Sequence, residues 1–244
     1  SLVSAQRSAA WGDVARRIAH EIKNPLTPIQ LSAERISKKF SPLLGDNSEG
    51  LRDMIEVITR QTDDIRRIVD EFSKFARMPE LRRKNEDLNA LVAATVSLQQ
   101  AGQPNVFISL SKPKYPIITS IDATLINQAL TNILKNAGES IETRMRTSST
   151  SNEDGIIEVS LENSSDRIVV KISDNGVGLP QDRLRLFEPY VTTREKGTGL
   201  GLAIVKKIIE EHGGTLKLND SDPFEKSGII GALVTIELPK SKNL

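Results

Sequence analysis

Two clusters of glycines and one histidine beside a carboxylate are the places where this chain of 244 residues can do chemistry. The first cluster, Asp174-Asn175-Gly176-Val177-Gly178-Leu179-Pro180, follows directly on the alternating apolar run Ile168, Val170 and Ile172. An Asp at a strand end can accept an amino proton, and glycines one residue apart let the backbone approach a ligand closely or take up positive φ. By itself the pattern fits a tight turn equally well. The second cluster, Lys196-Gly197-Thr198-Gly199-Leu200-Gly201-Leu202, runs straight into a helical segment from Ala203 to Glu211. Bare amides at a helix N-terminus attract phosphate oxygens through hydrogen bonds and the macrodipole. A loop that merely needs glycine is the alternative, and two such clusters in one small domain count against it. No Gly-Lys-Ser/Thr completes a Walker loop and no early βαβ unit frames a dinucleotide fingerprint, so neither of those nucleotide sites is present.

Upstream, Leu125, Ala129, Leu130, Ile133, Leu134 and Ala137 form the buried face of a helix reaching Ile141, with Asn132 and Asn136 one turn apart at its edge. An amide oxygen is a hard, neutral ligand for Mg²⁺, which keeps several waters and takes other ligands from phosphates. Asparagines at such an edge are also ordinary boundary residues, and only the glycine clusters raise them to metal-side candidates. His20 lies in Ala19-His20-Glu21-Ile22-Lys23-Asn24-Pro25, off the apolar stripe of the first helix. An exposed imidazole is a competent nucleophile near neutral pH, and Glu21 can orient the ring or take its proton. Pro25 cannot donate to the Glu21 carbonyl, nor Pro28 to that of Asn24, which weakens the helix by about 3 kcal/mol per proline just past His20. That cost separates His20 from an idle surface histidine. Asn24 projects into the same patch, about 40° round the helix from His20. It either offers its amide to a partner or caps the freed carbonyls. His212, ahead of Gly213-Gly214, is expected at a helix C-terminus, in favourable contact with the dipole and without a catalytic role.

These groups need two different scaffolds. The first third has helical period, with Ala15, Ile18, Ile22, Pro25, Ile29 and Ile36 on one face. After a break at Ser41-Pro42-Leu43-Leu44-Gly45-Asp46-Asn47, a second helix carries Leu51, Ile58, Ile65 and Phe72, widened by Ile55, Ile68, Val69 and Phe75. An antiparallel hairpin follows, and because two helices cannot bury stripes this wide, the pattern predicts a homodimer whose hairpins pair into a four-helix bundle. Pro79 and Arg82-Arg83-Lys84-Asn85 read as a short linker. Beyond it, alternation predicts strands at Val106, Ile108 and Leu110, at Ile157, Val159 and Leu161, at Ile168 to Ile172, and at Leu216 and Leu218. Helices are expected near 88–100, 122–143 and 200–211, with Asp122 as N-cap of the middle one. Helices on one face of a mixed sheet make an α/β sandwich, so the chain is α+β, with domains at 1–80 and 81–244. The stretch from Thr147 to Gly155 reads as a solvated loop and that from Gly176 to Gly199 as a mobile lid.

Lys and Arg number 33 against 32 Asp and Glu, a formal net charge of +1, so no long-range field favours nucleic acid. With no cysteine, disulfides, thiolate metal sites and thiol nucleophiles are excluded, which suits the cytoplasm. No run of eighteen apolar residues and no signal-peptide pattern occurs, so the expectation is a fragment without membrane contact. Residues 1–10 look like the middle of a helix without an N-cap, as in a piece of a longer protein.

Taken in order, these segments resemble the sensor histidine kinases of two-component systems across essentially the whole chain. His20-Glu21-Ile22-Lys23-Asn24-Pro25 resembles their H box, Asn132 to Asn136 their N box, Asp174 to Gly178 and Gly197 to Gly201 their glycine boxes, and Leu186-Phe187-Glu188-Pro189-Tyr190 their F box. The stretches Gly12 to His20 and Leu26 to Arg35 are most similar to nitrogen-regulation kinases of the NtrY type. The resemblance implies a dimeric histidine-phosphotransfer bundle followed by an ATP-binding domain of the gyrase, Hsp90, kinase and MutL fold. It implies ATP and Mg²⁺ as cofactors, an NtrX-like response regulator as partner, and a parent protein anchored in the inner membrane. By residue, it implies His20 as phosphoacceptor with Glu21 and Asn24 beside it, Asp174 at the adenine with Gly176 and Gly178, and Asn136 on the metal with Asn132 supporting the phosphates. The lid between Gly178 and Gly197 would clamp the nucleotide, with Gly197, Thr198, Gly199, Leu200 and Gly201 among the nucleotide-binding residues. Glu139 departs from relatives with a basic residue there, which leaves Lys135, Arg194 and Lys196 as alternative phosphate cations. Phosphatase activity toward the regulator is implied by Glu21 and Asn24, which match the acidic residue and the Thr or Asn of kinases that act both ways. An ATP-driven clamp that never phosphorylates itself and a non-catalytic dimerisation scaffold are the rival readings.

Overall fold

The computed structural model describes residues 2–76, 80–147, 154–189, 191–192, 197–225 and 228–240, with the side chains of 2–16, 46–47 and 74–76 outside the description. The chain divides into two compact units, residues 1–80 with 192–200 and residues 81–191 with 201–244.

In the first unit, α1 (Leu2–Leu44) continues unbroken past Pro25, Pro28 and Pro42. The expected break is therefore shorter than Ser41 to Asn47: a 3₁₀ turn, Gly45–Ser48, reverses the chain, with Gly45 at φ +53° where a side chain would be strained. α2 (Glu49–Ala76) returns antiparallel, so that Arg66 donates to Gln30 Oε1 at 3.0 Å and Lys23 pairs with Asp70. Ala19, Leu26 and Ala33 on α1 and Ile55, Thr62 and Val69 on α2 are buried, each set recurring every seven residues. The wider stripe is not covered by the hairpin. Ile18, Ile22, Ile29, Ile36, Ile58, Ile65 and Ile68 remain 38–46% exposed, because one neighbouring helix can shield only a narrow seam. Ala15 and Phe75 fall outside the described side chains.

The second unit has a five-stranded mixed sheet built from β2 (Val106–Ser111), β4 (Gly155–Asn163), β5 (Arg167–Asp174), β6 (Thr215–Asp220) and β7 (Ala232–Pro239). The order is β2-β4-β5-β7-β6, parallel only between β2 and β4. Alternate residues Ile157, Val159, Leu161, Ile168, Val170, Ile172, Val234, Ile236 and Leu238 are buried on one face. That face packs α3 (Leu88–Gly102), α4 (Ala123–Thr147) and α5 (Gly201–Glu211). On the other face Lys171 meets Glu162 at 2.7 Å, and Arg167 and Lys217 meet Glu237 at 2.6 and 2.5 Å. One polar face and one covered face is the expected sandwich.

Lys84 and Asn85, expected in the linker, instead open β1 (Lys84–Asp87), which pairs antiparallel with β3 (Ile118–Ile121). Side-chain bonds compensate for the missing apolar alternation. Asp87 Oδ1 accepts the N–H of Asn89, capping α3, and that of Ile117, each at 3.0 Å. β7 is also absent from the expected strands. Residues 148–153, most of the expected solvated loop, lie outside the described residues; Thr147 ends α4 and Gly155 begins β4. Of the lid, residues 190 and 193–196 are outside the description, and Leu184–Phe187 forms a 3₁₀ turn whose Phe187 ring receives Lys206 of α5 at 5.2 Å.

Asp122 caps α4 as its type suggests, accepting the N–H groups of Thr124 and Leu125 at 3.1 and 3.2 Å, while its other oxygen accepts from Arg82 N–H at 3.0 Å. His212 has a larger structural role than a dipole contact. It is 2% exposed, accepts the Asp122 N–H at Nε2 (3.0 Å) and lies 2.7 Å from the Ile208 carbonyl at Nδ1. This pattern requires the neutral ring with its proton on Nδ1, so the charged form that would favour the dipole is not the one the fold holds. Burial lowers its pKa from the usual 6.5, outweighing the bond to Ile208 and the nearby Asp122 and Glu211, which raise it; Arg83 lowers it further. Below the unfolded value the unfolded chain binds a proton that the folded chain refuses, so His212 contributes full stability above pH 6.5 and loses it as pH falls toward the lowered folded pKa. For Asp122, burial acts to raise the pKa, but the N–H groups of Arg82, Leu125 and Thr124 hold it below 3.8, so its contribution is lost only in stronger acid. Urea midpoints between pH 7.5 and 5.5 should fall more steeply for the wild type than for His212→Gln; equal slopes would exclude His212 as the source.

Candidate functional site

The chain leaves β5 at Asp174, a buried carboxylate 4% exposed. Its Oδ1 accepts the N–H of Gly176 at 2.9 Å, which closes the turn on itself. Asn175 is fully buried and ties the turn to β4: its Oδ1 accepts from Ile156 N–H at 2.9 Å, its Nδ2 donates to the Asp154 carbonyl at 2.9 Å, and its backbone N–H donates to the Ile156 carbonyl at 3.2 Å. Gly178 has φ +77°, as positive-φ glycine in this cluster requires. The turn is closely packed on two sides. A Cβ on Gly176 would stand 2.1 Å from Ser140 Oγ, and one on Gly231, just before β7, would stand 1.8 Å from the Asp174 carbonyl oxygen.

α4 passes beside this turn with Asn132 and Asn136 half-buried on one edge. A Cβ on Gly201, the first residue of α5, would lie 3.9 Å from Asn136 Nδ2, so the helix start and the amide are neighbours. The second unit thus joins Asp174, Gly176, Gly178, Asn136 and Gly201 around α4. Lys135 is turned about 100° from Asn136 round the helix. It pairs with Glu139 at 3.9 Å and lines a cleft with Gln99 of α3 and Gln103 just past its end. The second glycine cluster is divided: residues 197–200 group with the first unit, and Gly201 with the second. Leu200 is buried and Thr198 Oγ1 accepts its N–H at 3.4 Å; Gly197 is exposed and Gly199, half-buried, has φ +68°. Arg194 and Lys196 lie outside the described residues, as does Tyr190 of the F box. Asn175, Ser140 and Gly231 were not singled out from sequence; only a glycine at the head of an alternating strand hinted at the last.

In the first unit His20 is exposed on α1 next to the buried Ala19. Glu21 faces solvent and pairs with Arg17 at 3.5 Å, one turn back. Asn24 is exposed on the same side of the helix as His20, and its amide has no partner among the described residues.

Residues 121–242 match the family of histidine kinase-, DNA gyrase B- and HSP90-like ATPases, and residues 10–81 match the histidine kinase phospho-acceptor domain. The chain belongs to the histidine kinases. Among curated relatives, this histidine kinase is 51% identical to the nitrogen regulation protein NtrY of Azorhizobium caulinodans, over 99% of its own length and 31% of that protein's. It is 43% identical to a putative NtrY-like sensor histidine kinase of Rickettsia felis, over 94% of its length and 37% of the other's. The chain therefore spans about a third of the length of these two relatives. A solved structure of the histidine kinase ThkA in complex with the response regulator protein TrrA superposes with TM-score 0.62 at 26% identity, covering 97% of this chain and 64% of that one. The helical hairpin followed by a mixed α/β ATPase domain is thus the architecture of this family. Among the described residues no helix is long and apolar enough to cross a membrane.

Proposed function

We propose that the second unit binds MgATP, that His20 takes the γ-phosphoryl group, and that the group is then passed to an aspartate of an NtrX-like response regulator. The observation that carries this is the convergence of the closed Asp174–Gly178 turn, Asn136 and the N-terminus of α5 in one unit of a chain whose other unit exposes His20. Asp174 accepts the adenine amino proton, Asn132 and the first N–H groups of α5 meet phosphate oxygens, and Asn136 is the protein ligand of Mg²⁺. The residues present fit that ion. The half-buried Asn136 amide oxygen is a hard, neutral donor, and a single such ligand would leave the remaining positions to phosphates and water. When bound, Mg²⁺ neutralises phosphate charge. Gly197, Thr198, Gly199 and Leu200 close over the phosphates, with Arg194, Lys196 or Lys135 supplying the cation.

A His20 ring nitrogen attacks the γ-phosphorus in line; the N–P bond forms as the bond to the β-phosphate oxygen breaks, and ADP leaves. Glu21 takes the ring proton or orients the imidazole, exchanging its exposed pair with Arg17 for the ring. The phospho-acceptor domain occupies residues 1–80 and the ATP-binding domain 81–244. A second copy of the hairpin covers the half-exposed isoleucines and makes the dimer a four-helix bundle. The core works on the cytoplasmic side of a membrane-anchored parent.

Incubation with γ-labelled ATP and Mg²⁺ should give an acid-labile phosphoryl group on the protein. Asp174→Ala should weaken ATP and ADP alike, about tenfold or more, and Asn136→Ala should chiefly remove the Mg²⁺ dependence of binding. Hydrolysis without label on the chain would instead favour an ATP-driven clamp.

The exposed amide of Asn24 beside His20, without a partner among the described residues, also supports phosphatase activity, by holding the water that attacks the regulator's acyl phosphate. Asn24→Ala should keep autophosphorylation within about twofold while lengthening the lifetime of the phosphorylated regulator in the presence of ADP by about tenfold. Equal lifetimes would remove the phosphatase claim.

A further inference from the structure

Ser140 lies one turn beyond Asn136 on α4, on the edge that carries Asn132 and Asn136, and it makes the direct link between that helix and the first glycine turn. Its Oγ accepts the N–H of Val177 at 3.1 Å. The same side chain lies against Gly176: a Cβ there would meet Ser140 Oγ at 2.1 Å and Ser140 Cβ at 2.7 Å, so the glycine's bareness is what admits the hydroxyl. Gly176 in turn donates its N–H to Asp174 Oδ1 at 2.9 Å. Successive N–H groups of one turn therefore run to two acceptors, Gly176 to the Asp174 carboxylate and Val177 to the α4 hydroxyl. Val177 is 58% exposed, and the bond to Ser140 is the one hydrogen bond its N–H makes among the described residues, which ties the turn beyond Gly176 to α4.

We propose that Ser140 is a positioning residue of the nucleotide pocket, whose hydroxyl fixes the Asp174–Gly178 turn on the helix bearing the metal-side asparagines and so sets the distance between the adenine and phosphate ends of the site. It rests on the MgATP reading above. Ser140 does not have to touch the nucleotide; it acts through Val177, Gly176 and Asp174. Without it the part of the turn beyond Gly176, which Asn175 does not tie to β4, is released from α4, and the pre-organisation that packs Gly176 and the Asp174 carboxylate against the helix is weakened. Chemistry at His20 is not altered once ATP is bound.

The test is nucleotide titration and autophosphorylation kinetics on the whole chain with Ser140→Ala and Ser140→Cys, with Asp174→Ala as reference. Ser140→Ala should weaken ATP and ADP about five- to tenfold and raise KM(ATP) by the same factor, with kcat at saturating ATP within about twofold. Hydrogen exchange at the Val177 amide should quicken while the urea midpoint of the chain stays in place. Cysteine fills nearly the same space but is a much weaker acceptor. If the hydrogen bond matters it follows Ala, and if it binds ATP as the wild type does, the proposal is overturned. It is also overturned if kcat falls with KM unchanged, or if Val177 exchange does not move. Should Asp174→Ala bind ATP normally, the failure lies with the pocket itself and not with Ser140.

Discussion

Replacing His20 by Gln is expected to abolish phosphorylation, lowering acid-labile label by at least about a thousandfold, with nucleotide affinity unchanged. The side chain is exposed on α1, so a longer polar amide occupies the same place without disturbing the buried Ala19, Leu26 and Ala33 seam. An amide nitrogen has no available lone pair for attack on phosphorus, so the loss is in the chemistry and not in binding. The chain has only two histidines, and the other cannot take over. His212 is 2% exposed, with Nε2 accepting from Asp122 N–H and Nδ1 bonded to the Ile208 carbonyl, so both ring nitrogens are engaged and neither reaches solvent. The measurement is label per chain after γ-labelled ATP, in parallel with a nucleotide titration on the same sample. Undiminished acid-labile label on the variant would falsify the assignment of His20.

The contrast between the two histidines also shows which parts of the molecule can be read from sequence. Exposure of His20 follows from its place beside the apolar stripe, a local property of one helix. The role of His212 depends on Asp122, 90 positions away in sequence, and no period or spacing carries that contact. The strands at Ile157 to Leu161 and Ile168 to Ile172 were legible because alternate residues face a covered surface. β7 has an equally regular alternation at Val234, Ile236 and Leu238, and the expected strands simply omit it. β1 has no apolar pattern to read; its Lys84-Asn85-Glu86-Asp87 resembles a linker because Asp87 holds it through side-chain hydrogen bonds instead. The hairpin's buried seam is narrower than the periodic stripe, since a helix's apolar pattern also records surface that its hairpin partner leaves uncovered, which in the proposed dimer a second copy would cover. At the site, Asp174 and the glycines are marked by their types and neighbours, whereas Ser140 is one serine among many until the turn is seen resting on it.

Gly231→Ala should damage the nucleotide pocket more than any other single methyl added to it, and the reason is geometric. The new Cβ would stand 1.8 Å from the Asp174 carbonyl oxygen, 2.7 Å from its carbon and 3.0 Å from Gly176 N, all of them backbone atoms of the turn that presents the Asp174 carboxylate. Gly231 cannot easily retreat. Its N–H donates to Ser221 Oγ at 2.8 Å and its carbonyl accepts the Ser221 N–H at 3.0 Å, while β7 begins at the next residue and continues the ladder with β5. The turn cannot easily yield either, because Asn175 bonds it to β4 and Ser140 to α4. Overpacking of this kind costs about 1–3 kcal/mol, which for a unit of this size lowers the melting temperature by roughly 3–10 °C. The larger effect is on binding: on the proposed role of Asp174 at the adenine, movement of the Asp174–Gly176 turn would withdraw the carboxylate, and affinity for ATP and ADP should fall well over tenfold. Gly50→Ala, in the first turn of α2 with nothing within 4 Å, is the control for adding a methyl as such. There the helix gains up to about 1 kcal/mol and nucleotide affinity stays as it was. Melting curves and nucleotide titrations on both variants settle the matter, and a Gly231→Ala protein that binds ATP like Gly50→Ala would show that the turn does not present Asp174 to the nucleotide.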